Sequence, residues 1–138
     1  MNNPITVETN IINQPIEKIW DYWTNPDHIT HWYFASDDWH APHAENDLEV
    51  GGKFSTRMEA KDGSAGFDMT GVYTFVDHNK TIVYAFGDRT ARVEFVKQDD
   101  GSYTIIETFD PEDENSRELQ EKGWKSILEN FKTYVTKE

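Results

Sequence analysis

The chain has 138 residues, no cysteine and a formal net charge of −13. That acidity disfavours phosphate backbones and anionic membrane surfaces as partners, and the missing cysteine excludes disulfides, thiol catalysis and thiolate metal sites. Five Trp, six Tyr and eight Phe are too many for a disordered polar chain, so one folded domain over 1–138 is expected.

The first ten residues, "MNNPITVETN", have neither a basic n-region nor an apolar h-region, so no signal peptide is expected. No apolar run approaches the ~20 residues of a membrane span. The expected compartment is the cytoplasm. "ITVETNII" (5–12) is rich in β-branched side chains and reads as a strand. In "NQPIEKIWDYWT", Asn13 or Gln14 can cap a helix, Pro15 suits its first turn, and Ile16, Ile19, Trp20 and Trp23 form a helical stripe. "NPDHITHWYF" repeats the device, with Asn25 as cap and Pro26 at the first position. Residues 35–46 show no period and read as a loop.

From 47 to 110 the pattern is strand-like, with about six strands. "DLEV" is short and ends at Gly51-Gly52. "KFSTRMEAK" sets Phe54, Thr56, Met58 and Ala60 against Ser55, Arg57, Glu59 and Lys61. After the "DGS" turn, Phe67, Met69, Gly71, Tyr73 and Phe75 alternate with polar neighbours. "TIVYAF", "TARVEFV" and "SYTIIETF" follow, separated by "GDR" and "DDG". Short turns between alternating strands predict an antiparallel meander. In the last segment Leu119, Gly123, Trp124, Ile127, Leu128, Phe131 and Val135 recur at spacings of three and four. This predicts an amphipathic helix over 114–137, about 36 Å long. Its apolar face needs a partner, and the sheet is the only large one. The fold class is therefore α+β, a curved antiparallel sheet wrapped around a long C-terminal helix, with two short helices after the first strand. Gly123 on the buried stripe either lets the sheet approach closely or leaves room for a ligand.

Four stretches resemble the helix-grip, START-like superfamily (also called SRPBCC). Within it they are similar to the family of the C-terminal domain of the activator of Hsp90 ATPase, often labelled polyketide cyclase-like. They are "IWDYWTNPDHITHW" (19–32), "FASDDWHAPHAENDLEVGGKF" (34–54), "RMEAKDGSAGFDMTGVYT" (57–74) and "ETFDPEDENSRELQEKGWKSILENFKTYV" (107–135). The resemblance implies a cavity between the long helix and the concave sheet face, holding a small, largely apolar ligand. It does not imply one activity, because a fold hosts many.

The residues expected to line that cavity come first from the aromatic and apolar stripes: Trp32, Phe34, Trp39, Met58, Phe67 and Met69, then Tyr73, Tyr84, Phe86, Trp124 and Leu128. Ordinary core packing accounts for most of them, and a pocket needs only some to stay unpaired. His40 and Glu107 complete the expected lining, and they are also the weak catalytic candidates. His40 lies in "DDWHAPHAE" (37–45) with His43, Asp37, Asp38 and Glu45. That cluster reads as a lid loop with Trp39 at the cavity mouth, with a His40–Asp base and a divalent-metal site as alternatives. Glu107 alternates with Tyr103, Ile105 and Phe109. If these face inward, Glu107 is a carboxyl in an apolar pocket with a raised pKa; in the opposite register it is solvated. Arg57 and Arg92 raise the same question, and an outward charge is the ordinary reading. His28 and His31 read as exposed helix histidines. No cofactor and no metal are expected. The expected partner is a small hydrophobic molecule (lipid, polyketide or aromatic metabolite), not nucleic acid or membrane, in a monomer or weak dimer. A cyclase or hydrolase in the same cavity and a chaperone-contacting module are the alternatives.

Overall fold

The computed structural model describes residues 3–137; Met1, Asn2 and Glu138, the ends of the expected domain, lie outside the described residues. The elements are β1 (Ile5–Ile11), α1 (Ile16–Thr24), α2 (Pro26–Ile29), β2 (Trp39–Asn46), β3 (Lys53–Ala60), β4 (Gly66–Asp77), β5 (Thr81–Phe86), β6 (Arg89–Lys97), β7 (Tyr103–Phe109) and α3 (Arg117–Thr136). Among the described residues the strands form one antiparallel sheet in the order β1-β7-β6-β5-β4-β3-β2. The sheet curls around α3, which gives the expected α+β helix-grip arrangement.

Local chemistry sets the element ends. Asn25 accepts a hydrogen bond from the Asp27 backbone N–H at 2.9 Å, and Pro26 opens α2 where its missing N–H costs nothing. Ser116 accepts from the Leu119 N–H at 3.1 Å and starts α3 three residues later than the periodicity predicts. Its 20 residues span about 30 Å rather than 36 Å. The Asn13 or Gln14 cap is not formed: α1 follows Pro15 without a side-chain cap.

Two strand assignments differ from the sequence reading. Residues 39–46 are not a loop but the edge strand β2, paired with β3 from Trp39↔Ala60 to Asn46↔Phe54. A bulge between His40 and His43 breaks the alternation that would have revealed it. Pro42 is tolerated because an edge strand has one unpaired side. Conversely, "DLEV" is not a strand but a tight turn. A Cβ at Gly52 would sit 2.1 Å from the Asp47 carbonyl oxygen, so only glycine closes that turn. A second bulge between Tyr73 and Phe75 ends the expected alternation in β4. Past it, Phe75 is about half exposed, while Val76 packs against the core.

The core lies between α3 and the inner sheet face. Leu128, Phe131 and Val135 of α3 are completely buried against Ile5, Val7, Val93, Ile105 and Phe109. Trp23 and Trp32 meet Phe131 edge-on, both at 4.9 Å between centroids, and close one end of the core. Helix α3 packs most closely along β1. The far half of the sheet, β3 to β5, therefore stands away from the first turns of α3.

Candidate functional site

That separation leaves a cleft. Its main chamber, about 240 Å³, is walled by Met58 (β3), Phe67 and Met69 (β4) and Phe86 (β5) on the sheet side. Trp124 and Ile127 of α3 and Trp32 and Tyr33 beyond α2 form the other side. An outer chamber of about 320 Å³ shares Met58, Phe67, Trp124 and Ile127 with it and adds Trp39, Leu119 and Gly123 at the mouth. An inner recess of about 40 Å³ shares Trp32, Tyr33 and Glu107 with the main chamber and is closed by Trp23, Phe54, Tyr73 and Tyr84. The recess is large enough for a water molecule or two.

The walls are positioned by ordinary packing. Trp124 stacks on Phe109, with ring centroids 3.8 Å apart and planes 6° from parallel. That contact turns the indole flat along the chamber. Gly123 beside it has no atom within 4 Å of where a Cβ would lie. The close-packing reading of Gly123 therefore fails, and the glycine opens the outer chamber instead. Tyr73 donates its hydroxyl hydrogen to Asn46 Oδ1, and Asn46 Nδ2 donates to the Thr24 carbonyl at 2.6 Å. This chain ties β4, β2 and α1 together at the back of the recess.

Glu107 is the polar group of the interior. In the sheet it stands opposite Val7 of β1 and Val93 of β6, both buried, so its side chain takes the inner face. It is only 6 % exposed. No side chain among the described residues forms an ion pair or hydrogen bond with it. Burial alone pushes its carboxyl up to about 8, so it is mostly protonated at neutral pH. Around it lie three phenols, Tyr33, Tyr73 and Tyr84, each held above the ordinary tyrosine range chiefly by burial. Arg89 at the start of β6 lines the main chamber with Glu112. Its guanidinium lies 4.4 Å over the Phe86 ring and donates to the Asp110 carbonyl at 3.4 Å.

Not every sequence candidate comes to this cleft. Trp32, Met58, Phe67, Met69, Phe86, Glu107 and Trp124 line the main chamber. Tyr73 and Tyr84 line the recess and Trp39 the mouth. Leu128 is fully buried core and Phe34 lines none of the three chambers. His40 points to the outer sheet face, where Nε2 lies 3.7 Å from Glu59. Its strand partner Glu59 alternates with the inward Met58 and Ala60, which fixes that direction. His43 lies 3.5 Å from Glu45, so the cluster in "DDWHAPHAE" is divided among separate partners. The lid-loop reading and the His40–Asp pair are corrected accordingly. Among the described residues no three His, Asp or Glu side chains converge on a metal-sized point. Arg57 faces outward to Glu59 at 2.9 Å and Asp68 at 3.6 Å, and Arg92 lies 3.7 Å from Glu94. His28 stacks on Tyr22 and His31 on Tyr134.

Tyr33, Arg89, Glu112 and Ile127 were missed as lining residues. For Tyr33 a signal exists: Ile29, Trp32 and Tyr33 are spaced three and four apart, and the Tyr33 N–H still bonds to the Ile29 carbonyl at 3.1 Å. The helical turn continues beyond α2, so Tyr33 rather than Phe34 turns inward. Arg89 sits where "GDR" reads only as a turn.

A curled antiparallel sheet gripping one long helix, with an apolar cleft between them, defines a helix-grip protein. The family model for Activator of Hsp90 ATPase homolog 1-like protein matches residues 13–136, and the chain belongs to that family. It is similar to a solved protein from Cytophaga hutchinsonii, 48% identical over 99% of this chain and 94% of that one, with a TM-score of 0.83. An AHSA1-like protein from Aeromonas hydrophila is 41% identical over 95% and 92% of the two chains, with a TM-score of 0.85. A protein from Nitrosomonas europaea shares the fold at 19% identity, covering 97% and 94%, with a TM-score of 0.80. No curated protein matches the chain. Among the described residues no helix is long and apolar enough to cross a membrane.

Proposed function

We propose that the protein binds a small, largely apolar molecule in the cleft between α3 and strands β3 to β5. The observation that carries this reading is the main chamber itself. Aromatic and thioether side chains from both sides of the cleft line it and leave about 240 Å³ unfilled, around one buried carboxyl. Protein interiors are close-packed, and this chamber together with the outer one of about 320 Å³ that shares its walls reaches the size of ligand sites, which are mostly apolar with few convergent polar groups. Gly123 supports the reading, because a mid-helix glycine costs about 1 kcal/mol relative to alanine and here keeps the outer chamber open.

Thermal unfolding in the presence of neutral aromatic and acyl compounds tests the proposal. A ligand at 100 times its Kd stabilises by about 2.7 kcal/mol, a shift of several degrees for a domain of this size. Gly123→Leu, whose side chain extends into the outer chamber, should abolish the shift without unfolding the protein. If no apolar compound raises the midpoint, the cleft is not the site; if Gly123→Leu binds as well as wild type, the outer chamber is no part of it. Acid–base catalysis is the second reading, favoured by the carboxyl of Glu107 lying near neutrality. It requires that Glu107→Gln abolish turnover of a bound compound.

A further inference from the structure

Three phenols and the Glu107 carboxyl of the cleft can each donate a hydrogen, and two of those phenols and the carboxyl give none to another described side chain. The carboxyl of Glu107 is protonated near neutral pH and forms no hydrogen bond with any described side chain. The Tyr33 and Tyr84 hydroxyls form none either, whereas the Tyr73 hydroxyl is occupied by Asn46. Glu107 and Tyr33 both border the main chamber and the inner recess, so they sit at the junction of the two. Among the described residues only Asn79 Oδ1 and Asp110 Oδ1 are sealed away without a partner, so these hydroxyl groups open onto the chambers, where an entering molecule can reach them.

Building on the ligand-binding reading, we propose that Glu107 and Tyr33 form a polar subsite that receives the carbonyl oxygen of a neutral ligand, while the aromatic walls hold its apolar body. A carbonyl accepts two hydrogen bonds and donates none, which matches an unspent carboxyl hydrogen and an unspent phenol hydrogen. An ammonium group matches poorly. It brings three further donors, must first ionise Glu107, and enters a chamber that Arg89 already lines. A ligand carboxylate meets the same desolvation that keeps Glu107 neutral, and the attraction of Arg89 for it is offset by Glu112 in the same chamber.

The subsite makes affinity depend on pH. The groups that share these chambers with Glu107 are Tyr33, Tyr73 of β4, Tyr84 of β5, Arg89 of β6, Glu112 before α3, and Glu45 of β2 at the recess. The three phenols stay protonated through the range in which Glu107 ionises, because burial raises all of them. Above pH 8 Glu107 loses its donor hydrogen and presents a negative charge to the carbonyl oxygen. Affinity for a neutral ketone then falls about tenfold per pH unit.

Three naphthalene probes on the intact chain test this, followed by quenching of tryptophan emission. One is 6-propionyl-2-(dimethylamino)naphthalene, a neutral ketone whose own emission moves to the red when its carbonyl accepts a hydrogen bond. The second is 2-ethylnaphthalene, with no acceptor. The third is 2-(2-naphthyl)ethylamine, an ammonium at neutral pH. At pH 6.5 the ketone should bind at least tenfold more tightly than the other two, with red-shifted emission, and weaken above pH 8. Glu107→Gln should keep the ketone, since an amide N–H still donates, and lose the pH dependence. Glu107→Leu and Tyr33→Phe should each narrow the ketone's advantage over the hydrocarbon, and the two together should abolish it. Equal binding of ketone and hydrocarbon, preference for the amine, or ketone affinity that stays flat to pH 9.5 overturns the subsite and leaves the apolar cleft standing. Failure of all three probes to bind overturns both readings.

Discussion

Replacing Glu107 by glutamine isolates the energetic consequence of a lone carboxyl in the interior. In the folded protein this group titrates at about 8 against an ordinary 4.5. Its folded pKa is raised, so the folded state holds the proton more tightly than the unfolded state does. Its contribution to stability is fully present below pH 4.5 and is lost as pH rises through 8. Each pKa unit corresponds to about 1.4 kcal/mol, so wild type should lose about 5 kcal/mol across that window and about 3 kcal/mol by pH 7. Glutamine has no proton to lose. Any cost of its amide in the apolar site is independent of pH, and the other carboxylates titrate alike in both proteins. The difference in unfolding free energy, Glu107→Gln minus wild type, should therefore climb from pH 4.5 to 8 and then level. Urea unfolding followed by tryptophan emission, at half-unit steps from pH 4.5 to 9, measures it. A difference that stays constant within about 1 kcal/mol between pH 5 and 8 would refute the argument that Glu107 is buried and neutral.

Gly123→Ala should raise stability by about 1 kcal/mol and the midpoint by about 3 °C, because the added methyl meets no atom within 4 Å; a loss in thermal unfolding would mean that the space is already filled. Phe131→Ala removes a completely buried ring that Trp23 and Trp32 meet edge-on, and should cost about 3–5 kcal/mol in denaturant unfolding. His40→Ala, on the outer face, should change stability by no more than about 0.5 kcal/mol and leave probe affinity unaltered; weakened binding would return that histidine to the site.

Much of this molecule is set by local pattern. The stripe of Trp124, Leu128, Phe131 and Val135 allows only an amphipathic helix, and the alternation in β3 puts Thr56, Met58 and Ala60 on the buried side, as observed. Such periods survive because one side of each element meets water and the other does not. The same logic made the helix-grip arrangement legible, since one long apolar helix face and one meander have only each other to cover. Tertiary structure decided the remainder. A bulge adds one residue and reverses every later side chain, so β2 concealed itself as a loop and Phe75 left the interior. Glu107 fits either register on its own strand. Only the pairing of β7 with Val7 and Val93 on its two sides turned the carboxyl inward. The cleft likewise belongs to no local segment. It exists because α3 lies along β1 and the curl of the sheet carries β3 to β5 away from it. The distance between elements that do not touch is written in the packing of those that do.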